Sequence, residues 1–133
     1  MREGFKLEIV NPEKSFLSKD GVSEVVVPAF EGDMGILKDH ISIISFLRPG
    51  LLRIIDSKSS EEAYYVEDGI IEFKNNCLSV LTSNIFDIKK IDKNKVRDIL
   101  VKAEKERQNP DISDQAKYLV NHKIEVLKSL TLN

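Results

Sequence analysis

The sequence predicts an α+β fold, in which an N-terminal antiparallel β-sandwich of about ten short strands precedes a C-terminal antiparallel two-helix hairpin. Two patterns indicate this fold. Short apolar runs separated by turn residues fill residues 5–82, and no helical stripe there is long enough for a crossover helix. After about residue 86, apolar residues recur at helical spacing among charged residues. We therefore predict a β-sandwich domain over residues 1–86 and a helical hairpin domain over residues 87–133.

The strands are predicted from alternation and from turn chemistry. Phe5, Leu7 and Ile9 alternate with charged residues, which is the period of a half-buried strand. The strand at 25–27 is expected to follow a turn at 20–21 and to stop at Pro28. Further apolar runs lie at 41–47, 51–55, 63–66, 70–73 and 78–82, and the breaks between most of them contain turn residues at 49–50, 57–60, 68–69 and 75–76.

The helices are predicted from two apolar stripes. The first helix should run from Asp92 to Arg107, with an apolar stripe of Val96, Ile99, Leu100 and Ala103. Asn109 and Pro110 break it, and Asp111 is expected to cap the second helix. The stripe of the second helix consists of Ile112, Ala116, Leu119, Val120, Ile124 and Leu127. So few apolar side chains barely offset the cost of ordering the hairpin, which suggests an element that packs against a neighbour and can leave it.

Composition argues against several functional classes. A net charge of -2 and an isoelectric point of about 5.7 disfavour nucleic-acid binding, which needs a basic surface. Cys77 has no partner for an internal disulfide and is expected to be a small buried hydrophobe. Residues 1–6 do not resemble a signal peptide, and no segment approaches the roughly 20 apolar residues of a membrane span. We expect a cytosolic or organelle-interior chain that reaches a membrane only through partners.

No constellation of residues predicts catalysis, a cofactor or a metal. Phosphate-binding and nucleophile motifs are absent, and His40 and His122 lie in different halves of the sequence. Glu31, Asp33 and Asp39 form an acidic cluster in a glycine-containing segment. It can be interpreted as catalytic carboxylates or a cation site, as a turn-rich sheet edge, which we favour, or as a charged docking loop. We interpret His40 as a packed or hydrogen-bonded loop histidine.

One segment carries a specific combination of motifs. Residues 25–50 contain E-G-x-x-G beginning at Glu31, then His40, then Pro49 followed by Gly50. In this order and at this spacing, the combination strongly resembles the epsilon subunits of F-type ATP synthases. The resemblance extends over the whole chain, from the first strand at 7–10, through the strand at 68–73 and the Asn-Asn turn at 75–76, to the trailing helices.

The resemblance implies a non-catalytic rotor subunit. In this family the sandwich sits at the foot of the central stalk against the gamma subunit and the c-ring, and couples c-ring rotation to ATP synthesis in the catalytic head. The helices fold against the sandwich, or extend along gamma to the head and inhibit ATP hydrolysis. The complex would hold this chain at the cytoplasmic face of the bacterial inner membrane, and no nucleic acid is expected as a partner.

The resemblance also assigns candidate partner-binding residues. Glu31, Gly32 and Asp33 would face the polar loops of the c-ring, with His40 close to the same junction. The basic residues of the first helix are most simply a solvated face. The sharper hypothesis is that they meet an acidic partner when the helices extend, and its residues are Lys93, Lys95, Arg97 and Lys102.

An ATP-binding motif known in some members of the family is only partly present. Ile91 and Asp92 match it, but Lys95 and Val96 stand where it has Arg and Ala. Lysine lacks the planar fork of arginine, so we do not expect tight ATP binding and predict no cofactor. Two other classes stay open from the sequence: a small hydrolase using Glu31, Asp33 and His40, and an adaptor that shares the fold without the partners.

Overall fold

A computed structural model describes residues 4–58 and 60–131. The described residues form nine strands, a short 3₁₀ turn and two helices. The strands are β1 (Phe5–Asn11), β2 (Lys14–Ala29), β3 (Gly32–Leu37), β4 (Ile43–Leu47), β5 (Gly50–Asp56), β6 (Glu61–Val66), β7 (Gly69–Lys74), β8 (Cys77–Thr82) and β9 (Ile85–Asp87). The 3₁₀ turn Ile88–Lys90 leads to the helices α1 (Lys93–Arg107) and α2 (Asp114–Thr131). The predicted class, a sandwich followed by a helical hairpin, is confirmed.

The strands form two layers that share the long strand β2. The first layer contains the N-terminal half of β2 with β1, β8, β7 and β4, and the second contains β3, the C-terminal half of β2, β5, β6 and β9. Every pairing is antiparallel among the described strands except that of β1 with β8. The core between the layers is built from inward-facing residues such as Leu7, Ile36, Leu52 and Phe73, all at most 1% exposed.

Strand β2 corrects the sequence prediction. Asp20 and Gly21 do not reverse the chain, because Gly21 adopts a φ of 68° within β2, next to shifts of its register with both β1 and β5. The irregularity lets one strand pass from one layer to the other. Pro28 does not end the strand either, since β2 runs to Ala29.

The segment predicted as one acidic loop is largely a strand. Ala29 pairs with Gly32, so Phe30 and Glu31 form a two-residue turn, and β3 then extends to Leu37. At the other hairpin, between β7 and β8, Asn75 and Asn76 both have φ near 50°, as their sequence predicts for a tight turn. Cys77, at the start of β8, was expected to be buried, but it is only half-buried.

The helical prediction is confirmed for α1 and corrected at the start of α2. Asp92 caps α1 by accepting a hydrogen bond from the Asn94 amide at 2.9 Å. The second helix begins at Asp114, where the hydroxyl of Ser113, and not Asp111, accepts the Ala116 amide at 3.1 Å. Most residues of both predicted stripes face inward, but Ala116 is exposed and Leu119 lines a groove beside Phe46 and Ile70.

Candidate interaction surfaces

The helical hairpin covers the outer face of the second layer. Leu51, Tyr65 and Phe86 are direct neighbours across β5, β6 and β9 and form one apolar row. Tyr65 stacks on Phe86 with ring centroids 4.7 Å apart and is completely buried. The helices supply the other side of this cluster, chiefly with Val96, Ile99, Leu100, Val126, Leu127 and Leu130. The hairpin therefore packs on an apolar row that the sheet would otherwise expose.

A polar contact fixes the hairpin beside that row. The Tyr65 hydroxyl donates to Glu67 Oε2 at 2.8 Å, and Lys123 Nζ of α2 lies 3.3 Å from the same oxygen. Burial, and then the charge of Glu67, raises the pKa of Tyr65. The phenol is therefore neutral and can donate. Because both side chains of the ion pair are largely buried, removing one of them leaves the other charge poorly compensated.

A second contact joins α2 to the turn between β2 and β3. The Tyr118 hydroxyl accepts a hydrogen bond from Arg48 Nη1 at 3.0 Å and donates one to the Phe30 carbonyl. The rings of Tyr118 and Phe30 lie 4.7 Å apart. His122, one helical turn further along, packs edge-on against Tyr118, with its Nε2 3.4 Å from Arg48 Nη1. The pKa of His122 is lowered by burial and then by Arg48.

The first layer carries an apolar row that the described part of the chain leaves uncovered. Phe46, Ile70, Leu81 and Val10 are direct neighbours across β4, β7, β8 and β1, and all point outward. We call these four residues the open row. Phe46 is 66% exposed, and Ile44, two residues earlier on the same strand face, is 70% exposed. A row of this kind across four strands is typical of a protein-binding surface.

The turn at Phe30 and Glu31 borders this open row. A groove of about 540 Å³ is lined by residues 29–34 of the turn and β3, and by residues 43–46 of β4. Glu31 and Asp33 are exposed at its rim, and Gly32 has a φ of 149°. The predicted residues 31–33 thus lie together at one end of the sandwich, beside exposed apolar side chains.

His40 and Asp39 lie at the opposite end of β3. Six strand residues separate them from the turn, a distance of about 20 Å. The Asp39 amide donates to Asn76 Oδ1 at 2.7 Å, and His40 Nδ1 lies 2.7 Å from the Ile41 carbonyl oxygen. The hydrolase interpretation requires His40 to lie close to Glu31 and Asp33, and the structure keeps it apart from them. Among the described residues, no group of His, Cys, Asp and Glu could hold a metal ion.

The ATP-motif residues surround a small cavity between β9 and α1. Ile91, Asp92 and Lys95 line about 220 Å³ together with Phe86, Lys90 and Val96. This volume is below the range of typical small-molecule sites, and the Asp92 carboxylate is occupied as the cap of α1. The absence of tight ATP binding stays a prediction.

The basic residues of α1 point away from the sheet or along its edge. Lys93, Lys95, Arg97 and Lys102 are all exposed. Lys102 lines a cleft next to Glu67 and Lys123, and Lys95 lines the small cavity beside Phe86. Their predicted contact with an acidic partner is left untested by this arrangement.

Sequence reasoning missed the contact of Arg48 with Tyr118 and His122, and it missed the open row. The contact joins residues 70 and 74 positions apart, so no local pattern marks it. The open row did leave a signal, because Ile44 and Phe46 alternate with inward-facing residues in an apolar run. That excess of apolar residues on both strand faces predicts a second buried surface.

Among the described residues, one outer row of the β-sandwich is covered by the chain's own helices and another is left open, which is the arrangement of a small interaction subunit. A sequence profile described as "ATP synthase, Delta/Epsilon chain, beta-sandwich domain" matches residues 4–88. The chain belongs to this family, the delta/epsilon chains of ATP synthase, whose epsilon members are stalk subunits and not the catalytic ones.

Individual relatives agree over nearly the full length. The ATP synthase epsilon chain of Pelagibacter ubique is 70% identical over 130 residues, covering 98% of this chain and 99% of the relative. A chain of the mitochondrial ATP synthase of Euglena gracilis has the same fold, with a TM-score of 0.75, 20% identity, and coverage of 98% of this chain and 81% of the other. A chain from the central stalk and c-ring of the Tetrahymena thermophila mitochondrial enzyme also has this fold, with a TM-score of 0.65 and 17% identity. The match covers 98% of this chain and 99% of the other. In the described part of the chain, neither helix could span a membrane.

Proposed function

We propose that this chain is a non-catalytic central-stalk subunit of a proton-translocating F-type ATP synthase. In this role the sandwich couples c-ring rotation to the catalytic head, and the hairpin inhibits ATP hydrolysis. The observation that carries the proposal is the 70% identity to an ATP synthase epsilon chain over 130 residues, together with an open row placed to receive a partner. The chain would then lie at the cytoplasmic face of the bacterial inner membrane, held there by its partners.

The open row is the proposed gamma-binding surface. Its four side chains present contiguous apolar area, flanked along the same strands by polar residues such as Glu72 and Ser79, which is the composition of a protein interface. Gln115 and Leu119 of α2 border the same surface beside Phe46 and Ile70. A partner on the open row therefore lies next to the hairpin without displacing it.

The turn carrying residues 31–33 is the proposed c-ring contact. Its carboxylates project from a tight hairpin turn at one end of the sandwich, where they can meet short polar loops without burying a large area. Exposed acidic groups of this kind contribute orientation more than affinity. His40 lies at the other end of β3, and its predicted place close to the same junction stays a prediction.

Co-purification tests the proposal. Tagged full-length chain should recover gamma and the head subunits from an extract of its own cells. Phe46→Glu should abolish recovery, because it places a charge at the most exposed residue of the open row, while the fold survives since Phe46 is mostly exposed. The matched control is Val101→Glu, at an exposed apolar residue of α1. Recovery of no ATP synthase subunit by the wild-type chain would overturn the proposal.

A further inference from the structure

The turn proposed to meet the c-ring is held in place by the hairpin proposed to regulate hydrolysis. The peptide group that links Phe30 to Glu31 carries the Phe30 carbonyl, which accepts the Tyr118 hydroxyl. On its other side, the Phe30 amide donates to the Phe46 carbonyl at 2.9 Å. The turn is therefore hydrogen-bonded to β4 through the Phe30 amide and to α2 through the Phe30 carbonyl.

Arg48 closes this contact from the sandwich. Its amide donates to the Pro28 carbonyl at 2.9 Å, and its guanidinium reaches both Tyr118 and His122 on α2. The Tyr118 hydroxyl thus serves as acceptor and donor at once, between a charged side chain and a backbone carbonyl. A hydroxyl used in both roles fixes the distance and the angle between helix and turn.

We infer that Tyr118 is a positioning residue that couples docking of the hairpin to the conformation of the turn at Phe30 and Glu31. When α2 leaves, the Phe30 carbonyl loses its donor and the Phe30 ring loses its cover. A partner that binds the turn in its docked conformation leaves the Tyr118 hydrogen bond intact. The docked hairpin holds the turn in one conformation, so docking and partner binding at the turn favour each other, by the same factor in both directions.

The identity of the partner at the turn rests on the proposed function, but the coupling within the chain does not. It can therefore be measured in the isolated full-length protein by amide hydrogen exchange at a single pH. The reporter is the Phe30 amide. Its hydrogen bond to the Phe46 carbonyl joins two parts of the sandwich and involves no atom of the hairpin.

Three variants separate coupling from general loosening. Tyr118→Phe keeps the ring and removes only the hydroxyl, and should speed exchange at Phe30 about fivefold, the effect of one hydrogen bond. Lys123→Gln weakens docking at the distant Glu67 contact and should speed the same amide if docking controls the turn. Tyr64→Phe removes an equivalent phenol hydroxyl, bonded to Glu62 at 3.0 Å on β6, and should leave Phe30 unchanged.

Each outcome decides the inference. Faster exchange at Phe30 in both docking variants, with Tyr64→Phe at the wild-type rate, supports coupling even if co-purification fails. Faster exchange of α2 amides with Phe30 unchanged would make Tyr118 a simple latch and overturn the coupling. An equal change in all three variants would also overturn it, because it would indicate general loosening of the sandwich.

Discussion

His122 and Arg48 place two groups that can both carry positive charge 3.4 Å apart at the joint between α2 and the sandwich. A neutral imidazole can accept a hydrogen bond from the guanidinium there, whereas a protonated one is repelled by it. The pKa of His122 is lowered from its ordinary value of 6.5, first by burial and then by Arg48, with Glu125 opposing the shift more weakly. The contact therefore depends on the protonation of one side chain.

We predict that acidification loosens the hairpin. Since the lowered pKa belongs to the docked state, protons bind the released state more tightly and favour it. Docking is strongest above pH 6.5, weakens as the pH falls through 6.5, and levels off below the lowered pKa. Methyl resonances of Leu127, fully buried by docking, can follow the change from about pH 8 to about pH 5.5. His122→Gln should remove the step and His40→Gln should keep it; a step that survives in His122→Gln contradicts the prediction.

The hairpin is an element whose docking depends on a small apolar cluster. Leu127 is completely buried between α1, α2 and the row containing Tyr65. We predict that Leu127→Ala makes docking less favourable by about 2–4 kcal/mol, the cost of truncating a buried leucine. Hydrogen exchange of α1 and α2 amides should rise accordingly, while amides of the sandwich core, for example at Leu7, keep their protection.

The matched control for this element is Val101→Ala. Val101 lies on α1 but is 54% exposed, so the loss of its two methyl groups should change docking by less than about 0.5 kcal/mol. If Leu127→Ala instead lowers protection throughout the sandwich, the hairpin is part of the main folding unit and not a separately docked element.

At the scale of elements, the sequence predicted what depends on local pattern. Alternation placed most of the strands, the helical stripes placed α1 and α2, and the turn predicted at Asn75 and Asn76 is present, with positive φ angles at both residues. The sequence prediction failed at β2 because a glycine inside a strand can form an irregularity as readily as a turn. It failed at β3 because two glycines obscured the alternation of Met34 and Ile36 with exposed residues.

The candidate site divides in the same way. Residues 31–33 were located by a motif, and the structure keeps them together. The separation of His40 from them depends on the length of β3, which was not predicted. The contact of Phe30, Arg48, Tyr118 and His122 is formed by tertiary packing between segments that are distant in sequence, and neither composition nor periodicity records such contacts.

Across the whole molecule, two outer rows have different coverings. One layer turns its apolar row toward the chain's own helices, and the other leaves its row open, with the turn at Phe30 and Glu31 next to the open side. A partner on the open row and the docked hairpin can therefore be present together. Under the proposed function, this lets the sandwich stay attached to the stalk while the hairpin docks or extends.

Removing the hairpin and releasing it should consequently have opposite effects on the assembled enzyme. Truncation after Asp87 keeps β9, whose last residue pairs with Tyr64, and eliminates both helices. We predict that it leaves ATP synthesis largely intact and raises ATP hydrolysis by the soluble head, because the inhibitory element is gone. Lys123→Gln and Leu127→Ala should lower hydrolysis by at least about twofold, since each raises the population of extended helices. A damaged sandwich would change ATP hydrolysis in the same direction in all three variants. Changes of opposite sign therefore identify the hairpin as the inhibitor. A change of the same sign in all three would reject that role and leave the coupling role of the sandwich standing.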